Sequence, residues 1–228
     1  MYRERPSRLL GAVVWSRRAE PRRRDYRVVP DGCLDLIWSD GRLLVAGPDT
    51  RPHVGGSAAG RSYTGLRFAP GTGPTILGLP ADELTDRRLP LESIWPDRDV
   101  RELTERLATA RAPGRLLEAT AFERLARSDP PDPATLAIAD ALRAGHPVAE
   151  TARRVGLSER QLLRRCRPAF GYGPKTLARV LRMDRALALA RSGLPLAEVG
   201  ATAGYADQAH LSREVRALTG VTLRALVA

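Results

Sequence analysis

Two groups of polar side chains near the end of the chain have the residue types that read base edges in DNA. The first group is Arg160, Gln161 and Arg164, and the second is Gln208, His210, Ser212 and Arg213. Arg can donate two parallel hydrogen bonds to the edge of a guanine, and Gln can form a similar pair with adenine. Such side chains suit a helix that lies in a major groove, where the N-terminal part of the helix meets the bases.

The two groups occupy equivalent places in a weak internal repeat. Residues 148–158 align with residues 196–206, and one extra residue in the second turn then brings Gly171 into line with Gly220. Each copy predicts a helix, a short glycine-containing turn and a second helix. The candidate base-reading residues all fall on the second helix of their copy.

Local signals indicate where these second helices begin and end. Ser158 is the predicted N-cap in the first copy, and Gln161, three residues further on, completes a capping box. Asp207 is the predicted N-cap in the second copy. Pro168 falls late in the first of these helices and is expected to shorten it.

The apolar pattern predicts that the whole C-terminal part is helical. Proline at a first turn and glycine after a last turn mark several helix ends. The predicted helices are 134–144, 148–155, 159–167, 175–191, 196–203, 208–218 and 222–227.

The first ninety residues have a different character, with many Gly and Pro residues and short apolar runs. Predicted strands are 12–15, 33–38, 43–46, 63–68 and 75–79. Asp40-Gly41 between two of these runs is a strong signal for a tight hairpin. Residues 97–127 then predict two helices, interrupted at Pro113-Gly114.

Together these patterns predict an α+β protein with two domains. A small antiparallel β domain, cupin-like and followed by short helices, covers residues 1–127. Residues 128–133, with three prolines, form a stiff linker. An all-α domain with two helix-turn-helix units joined by a long helix covers residues 134–228.

The charge distribution agrees with a polyanionic partner for the second domain. The formal net charge is +11, and residues 134–228 hold 15 basic against 7 acidic residues. Residues 1–133 hold 22 basic against 19 acidic residues, with the basic ones concentrated between Arg3 and Arg27. Nucleic acid is the commonest partner of such a surface. Because 36 of the 37 basic residues are Arg, coding composition is an alternative source of part of this charge.

Residues 134–228 resemble the AraC/XylS-type DNA-binding domain of bacterial transcription regulators. The matching stretches are 156–171, 182–191 and, most specifically, 204–220. The resemblance implies that the two recognition helices enter successive major grooves about 34 Å apart. It also implies phosphate contacts from basic side chains, for which the candidates are Arg153, Arg154, Arg165, Lys175 and Arg182. The family usually has Phe where Cys166 and Val215 stand here, so the expectation is either looser core packing or compensation by neighbours such as Phe170.

Residues 26–95 resemble a poorly characterised β-rich domain found ahead of such DNA-binding units. In this family the front domain commonly senses a small molecule or dimerises. Expected partners are therefore double-stranded DNA, a small-molecule effector and a second copy of the chain. The candidate effector-pocket residues are Trp38, Tyr63, Arg67 and Phe68.

Other function classes have weaker sequence support. His53 and Cys33 do not make a metal site without further ligands, so neither a metal nor a cofactor is expected. The two cysteines, Cys33 and Cys166, are too few for a DNA repair enzyme with a cysteine-rich zinc module. A helical protein-interaction module and an uncharacterised β-domain enzyme fused to a DNA-binding unit stay open as alternatives. With no signal peptide or membrane span predicted, a non-enzymatic cytoplasmic regulator is expected.

Overall fold

The computed structural model describes residues 2–19, 25–56 and 60–227. Its strands are β1 Tyr2–Pro6, β2 Val13–Arg18, β3 Asp25–Val28, β4 Leu34–Ser39, β5 Arg42–Ala46, β6 His53–Gly56, β7 Ser62–Phe68 and β8 Arg88–Pro90. Six of them form an antiparallel sheet in the order β1-β2-β7-β4-β5-β8, and β3 pairs with β6 in a second sheet. The predicted antiparallel front domain is confirmed.

The β4–β5 hairpin shows how local chemistry sets the register of the main sheet. Ser39 pairs with Arg42, which leaves a loop of two residues, Asp40 and Gly41. Both have positive φ, 47° and 77°, as a type I′ turn requires. This turn matches the twist of the flanking strands, so the hairpin predicted from Asp-Gly forms as expected.

Three α-helices of the front half, one before β8 and two after it, pack against the main sheet. They are α1 Gly73–Leu77, α2 Asp97–Thr109 and α3 Pro113–Ala126, with 3-10 helices at Ala81–Glu83 and Leu91–Ser93. Val100, Leu103 and Leu107 of α2 are all buried, as their spacing predicts. Residues 22–24 of the predicted basic stretch lie outside the described residues.

The predicted strand 75–79 is wrong, because most of this segment belongs to the short helix α1. Pro74 occupies the first turn, where its missing N–H costs nothing, and Gly78 ends the helix at φ 75°. The Gly78 N–H donates to the carbonyl of Pro74 at 2.8 Å. These two end signals, with Ile76 and Leu77 buried against the sheet, override the preference of β-branched residues for strands.

The C-terminal part is helical throughout, as predicted. Its helices are α4 Pro133–Arg143, α5 Val148–Arg154, α6 Glu159–Phe170, α7 Pro174–Arg191, α8 Leu196–Ala203, α9 Gln208–Thr219 and α10 Leu223–Val227. For six of these seven helices, both ends lie within one residue of the predicted position. The exception is α6, which continues through Pro168 to Phe170 instead of ending near 167. Phe170 is buried, and its place in the core favours the extra turn despite the lost hydrogen bond.

Two apolar cores lie on either side of the segment between α3 and α4. One joins the main sheet to α1, α2 and α3, and the other joins α4 through α10. Asp132 caps α4 by accepting a hydrogen bond from the Ala134 N–H at 2.9 Å, so Pro133 belongs to the helix. The exact domain limits stay a prediction. None of the described helices combines the length and apolar character needed to cross a membrane.

Glu118 of α3 fixes the turn that leads from β1 into β2. Its buried carboxylate accepts hydrogen bonds from Ser7 Oγ at 2.6 Å and from the Arg8 N–H at 2.8 Å. Arg5 adds two longer bonds at 3.4 Å. Burial alone would raise the pKa of this carboxyl, but these hydrogen bonds outweigh it and hold the pKa at about 2.

Replacing Glu118 by Gln should therefore destabilise the protein most at a pH where this carboxyl is charged in both the folded and the unfolded state. Because the pKa is lower in the folded state, the stabilisation is fully present above about pH 5 and is lost as the pH falls toward 2. We expect Glu118→Gln to lower the free energy of unfolding by about 2–3 kcal/mol at pH 7, measured by urea titration. The exposed Glu123, on the same helix, gives the control Glu123→Gln. Equal losses for Glu118→Gln at pH 7 and pH 3 would contradict the assignment.

Candidate nucleic-acid interface

The first helix-turn-helix unit consists of α5, a tight turn and α6. Gly156 takes φ 68° in the turn, a conformation that favours glycine. Ser158 Oγ accepts from the Gln161 N–H at 3.3 Å, and Gln161 Oε1 accepts from the Ser158 N–H at 2.8 Å. The predicted capping box is thus present and fixes where α6 begins.

The second unit consists of α8, a turn and α9. Gly204 has φ 84° in the turn, and Asp207 Oδ1 accepts from the His210 N–H at 2.6 Å. The buried Tyr205 meets the His210 ring edge to face, with centroids 5.2 Å apart. The predicted N-cap is confirmed, and the turn residues orient the first turn of α9.

A small residue occupies one core position of each recognition helix. Cys166 and Val215, which stand where the family usually has Phe, are both fully buried, and Phe170 is buried beside Cys166. Burial raises the pKa of the Cys166 thiol to about 12. Phe170 is buried in the same core, which agrees with compensation by a neighbour, and the packing density at these positions stays a prediction.

The candidate base-reading residues lie on the first half of α6 and α9. Arg160, Arg164, Gln208, Ser212 and Arg213 are exposed, and His210 is half-buried. Within the described residues, the guanidinium groups of Arg160, Arg164 and Arg213 form no ion pair. Gln161 and His210 also serve the local structure, since the Gln161 side chain closes the capping box and His210 Nδ1 accepts from the Ala206 N–H at 3.4 Å. Whether each of the seven touches a base stays a prediction.

The candidate phosphate-binding residues fall into two classes. Arg153 and Lys175 are exposed and form no ion pair with any described residue. Arg154, Arg165 and Arg182 are each paired with a carboxylate of the protein itself. The distances are 2.7 Å from Arg154 to Glu150, 3.0 Å from Arg165 to Asp132 and 3.0 Å from Arg182 to Glu214.

Glu214 joins the second recognition helix to the long connecting helix. It accepts from Arg179 at 2.8 Å and from Arg182 at 3.0 Å, both on α7. The Arg182 guanidinium also lies over the Tyr205 ring, 4.8 Å from its centroid. Burial would raise the pKa of Glu214, yet the two arginines lower it below its ordinary value. Sequence reasoning missed this cluster, because its partners are more than thirty residues apart along the chain.

An acidic segment of the front domain lies beside the first recognition helix. The 3-10 helix Ala81–Glu83 and α6 form the walls of an open groove of about 590 Å³. Asp82 and Glu83 share this groove with Arg160, Gln161 and Arg164. Two carboxylates therefore lie next to the side chains that are expected to approach the negatively charged duplex.

The four candidate pocket residues of the front domain do not converge. Arg67 binds Asp31 at 3.3 Å and Asp35 at 3.5 Å, which makes it part of an ion-paired cluster. Phe68, its neighbour on β7, points to the opposite face because side chains alternate along a strand. Phe68 lines a cavity of about 480 Å³ between the two halves, whereas Trp38, Tyr63 and Arg67 do not.

Comparison with known proteins agrees with this geometry. A family described as "Helix-turn-helix domain" matches residues 151–228. The C-terminal part is an AraC-type helix-turn-helix domain. A second family, described as "Domain of unknown function (DUF6597)", matches residues 6–90. No curated protein matches the chain in sequence.

Solved structures of ToxT from Vibrio cholerae, an AraC-family regulator, share the fold. The apo K231A variant of strain SCE256 aligns with TM-score 0.55 and 10% identity over 97% of this chain and 98% of that one. ToxT of O395 gives TM-score 0.52 and 9% identity over 94% and 96%. A structure of wild-type ToxT with a bound unsaturated fatty acid aligns with a TM-score of 0.51 and 12% identity over 94% of each chain.

The AraC-type helix-turn-helix domain supports DNA-binding transcription regulation. The prediction that the C-terminal part is an AraC/XylS-type domain, behind a β-rich domain of its own family, is confirmed.

Removing the charges of Asp82 and Glu83 should strengthen DNA binding. The double variant Asp82→Asn, Glu83→Gln removes two negative charges that repel DNA phosphates near α6. We expect the binding free energy to become more favourable by roughly 0.5–1 kcal/mol at low salt, which is a two- to fivefold lower Kd. Fluorescence anisotropy against salt concentration measures this gain, which should fade as salt rises. Asp97→Asn with Glu105→Gln on α2 changes the net charge equally, away from the groove. An equal gain in this control would show a general charge effect and not a local one.

Proposed function

We propose that this protein is a sequence-specific transcription regulator that reads an asymmetric DNA site of about two helical turns. Helix α6 enters one major groove and α9 enters the next on the same face of the duplex. The observation that carries this proposal is the equivalent placement of exposed, unpaired arginines on two capped recognition helices of one chain. The regulator acts in the cytoplasm, where it meets the chromosome.

The connection between the two units supports simultaneous binding. Helix α7 has 18 residues and is therefore about 27 Å long, close to the distance between successive grooves. Glu214 fastens α9 to this helix through Arg179 and Arg182. A rigid link lets both helices bind without a further loss of conformational entropy, which favours a single composite site.

Base reading by both units can be tested with two substitutions. We expect Arg160→Ala and Arg213→Ala each to cost about 1–3 kcal/mol on the preferred duplex. Each should relax sequence preference in a different part of the site, because each helix meets its own groove. The preferred duplex comes from selection in a random pool, and anisotropy gives the affinities. Arg224→Ala, on the exposed side of α10, is the control.

Three results would contradict this assignment. If all duplexes bind with the same affinity and that affinity depends only on the salt concentration, the contacts are to phosphates only. If no duplex binds, even for residues 134–228 alone, the helical part is an interaction module. If both substitutions relax preference at the same base pairs, the two-groove arrangement is wrong.

A small molecule is the proposed effector, and the cavity at the junction of the two halves is its proposed site. The wall contains Phe68 and Ile76 from the front half, and Leu136 and Ala139 from α4. Its volume of about 480 Å³ lies within the range of ligand pockets, and most of its lining is apolar. A ligand there would touch both halves and could therefore couple them.

Blocking this cavity should remove the effect of an apolar ligand on DNA binding. One ToxT structure contains an unsaturated fatty acid, so such an acid is the first probe for this chain. In wild type we expect the probe to change the Kd for DNA at least threefold, and in Leu136→Trp we expect no change, because the indole fills the cavity mouth. Ala137→Trp, exposed on the same helix, should behave as wild type. An equal response in Leu136→Trp would exclude this cavity.

A second copy of the chain stays a predicted partner, and sedimentation would test it.

A further inference from the structure

The two recognition helices end in the same way. Gly171 follows α6 with φ 82°, and Gly220 follows α9 with φ 74°. They are equivalent positions of the internal repeat, and each accommodates a left-handed backbone that other residues rarely adopt. Both helix ends contact the front half of the chain, although the front half is not part of either unit.

Contact with the end of α6 is made through Pro48 and Thr85. Thr85 Oγ1 donates a hydrogen bond to the Gly171 carbonyl at 2.8 Å. A Cβ atom added at Gly171 would overlap the Pro48 ring and lie 2.6 Å from Thr85 Oγ1. Side chains of the front half therefore lie so close to this helix end that only glycine fits there.

Contact with the end of α9 is made through Arg27 of β3, and Pro52 lies close to the same helix end. The Arg27 guanidinium donates to the Thr219 carbonyl at 2.8 Å. A Cβ atom at Gly220 would lie 3.8 Å from the Pro52 ring. Pro48 and Pro52 belong to one loop between β5 and β6, residues 47–52, which we call the bridging loop.

The bridging loop is held firmly by its own neighbours. Asp49, which is buried, accepts two hydrogen bonds of 2.6 Å from the Arg88 guanidinium. Thr50 donates to Asp86 from its N–H at 2.9 Å and from its hydroxyl at 2.6 Å. A Cβ atom at Gly47 would overlap the backbone of Leu84. These contacts restrict the conformation of the loop. Its two prolines restrict it further, so the distance that the loop spans is nearly fixed.

A rigid loop that reaches both helix ends fixes the distance between them. DNA is sensitive to that distance, because one inserted base pair moves the second half of a site by about 3.4 Å and turns it by about 35°. Within the DNA-binding domain, α7 supplies one connection between α6 and α9. The bridging loop supplies a second connection from outside that domain.

We propose that the bridging loop, with Thr85 and Arg27, sets the spacing of the two recognition helices and thereby the spacing of the two DNA segments that the protein accepts. This role rests on the proposed function, since it assumes that both helices bind DNA at once. The front half is then a determinant of DNA specificity and not only a sensor.

The spacing of the helices can be measured without DNA. Spin labels on Glu159→Cys and Gln208→Cys lie at the equivalent first residues of α6 and α9, with Cys33→Ser as background and the buried Cys166 left in place. We expect a narrow distance distribution in this protein. Adding Thr85→Val and Arg27→Met removes both hydrogen bonds but keeps side-chain volume, and the distribution should become at least twice as broad. An unchanged width would overturn the proposal.

A matched control keeps this result specific. Thr109→Val with Arg42→Met makes the same chemical changes at exposed front-half positions away from the recognition helices, and should leave the width unaltered. Broadening in the control to the same extent would overturn the proposal. Thermal unfolding of every variant shows whether it is folded.

DNA then tests the consequence for specificity. For wild type we expect the affinity to fall at least tenfold when one base pair is inserted between the two halves of the selected site, and for the Thr85→Val, Arg27→Met variant at most threefold. Equal discrimination in both proteins would overturn the role in specificity. If wild type shows no preference for any duplex while the label distances still respond to the variant, the proposed function fails, and the effect of the front-half contacts on helix spacing stands.

Discussion

The Glu214 carboxylate, placed between two arginines of α7, is the interaction on which the DNA-binding half depends. It determines where α9 lies relative to the long helix and therefore relative to α6. Charge-assisted hydrogen bonds of this kind are directional, so they fix orientation as well as contact. Arg182 also stacks on Tyr205, which in turn contacts His210 at the start of α9. One chain of contacts thus runs from the connecting helix to a candidate base-reading residue.

Features that depend on neighbours in sequence could be predicted well. The capping box at Ser158, the cap at Asp207 and the hairpin at Asp40-Gly41 each involve residues within three positions of one another. The repeat then showed which helices are equivalent. These signals predicted the helices of the DNA-binding half almost to the residue, because capping groups and left-handed glycines fix helix ends locally.

Features that depend on distant partners could not be predicted in this way. Strands β3, β6 and β8 have only three or four residues each, and pairing with remote segments defines them. Arg182 has the right residue type for a phosphate contact, but its partner lies 32 residues further on in α9. Arg67 and Phe68 are adjacent in sequence and are predicted to share one pocket, whereas the alternation along β7 places them on opposite faces of the sheet. Pro168 was expected to end a helix that the core contact of Phe170 prolongs.

The buried sulfur on the inner face of α6 is a natural probe of local unfolding. Cys166 is fully buried, and its thiol has a pKa of about 12, so almost none of it is thiolate at neutral pH. A thiol reagent can reach this sulfur only while the helix is detached from its core. The rate of Cys166 modification therefore reports how often the first helix-turn-helix unit opens, and no label needs to be introduced into the chain. Because ligands that bind the closed form slow such openings, the same sulfur reports any DNA or effector that engages this helix.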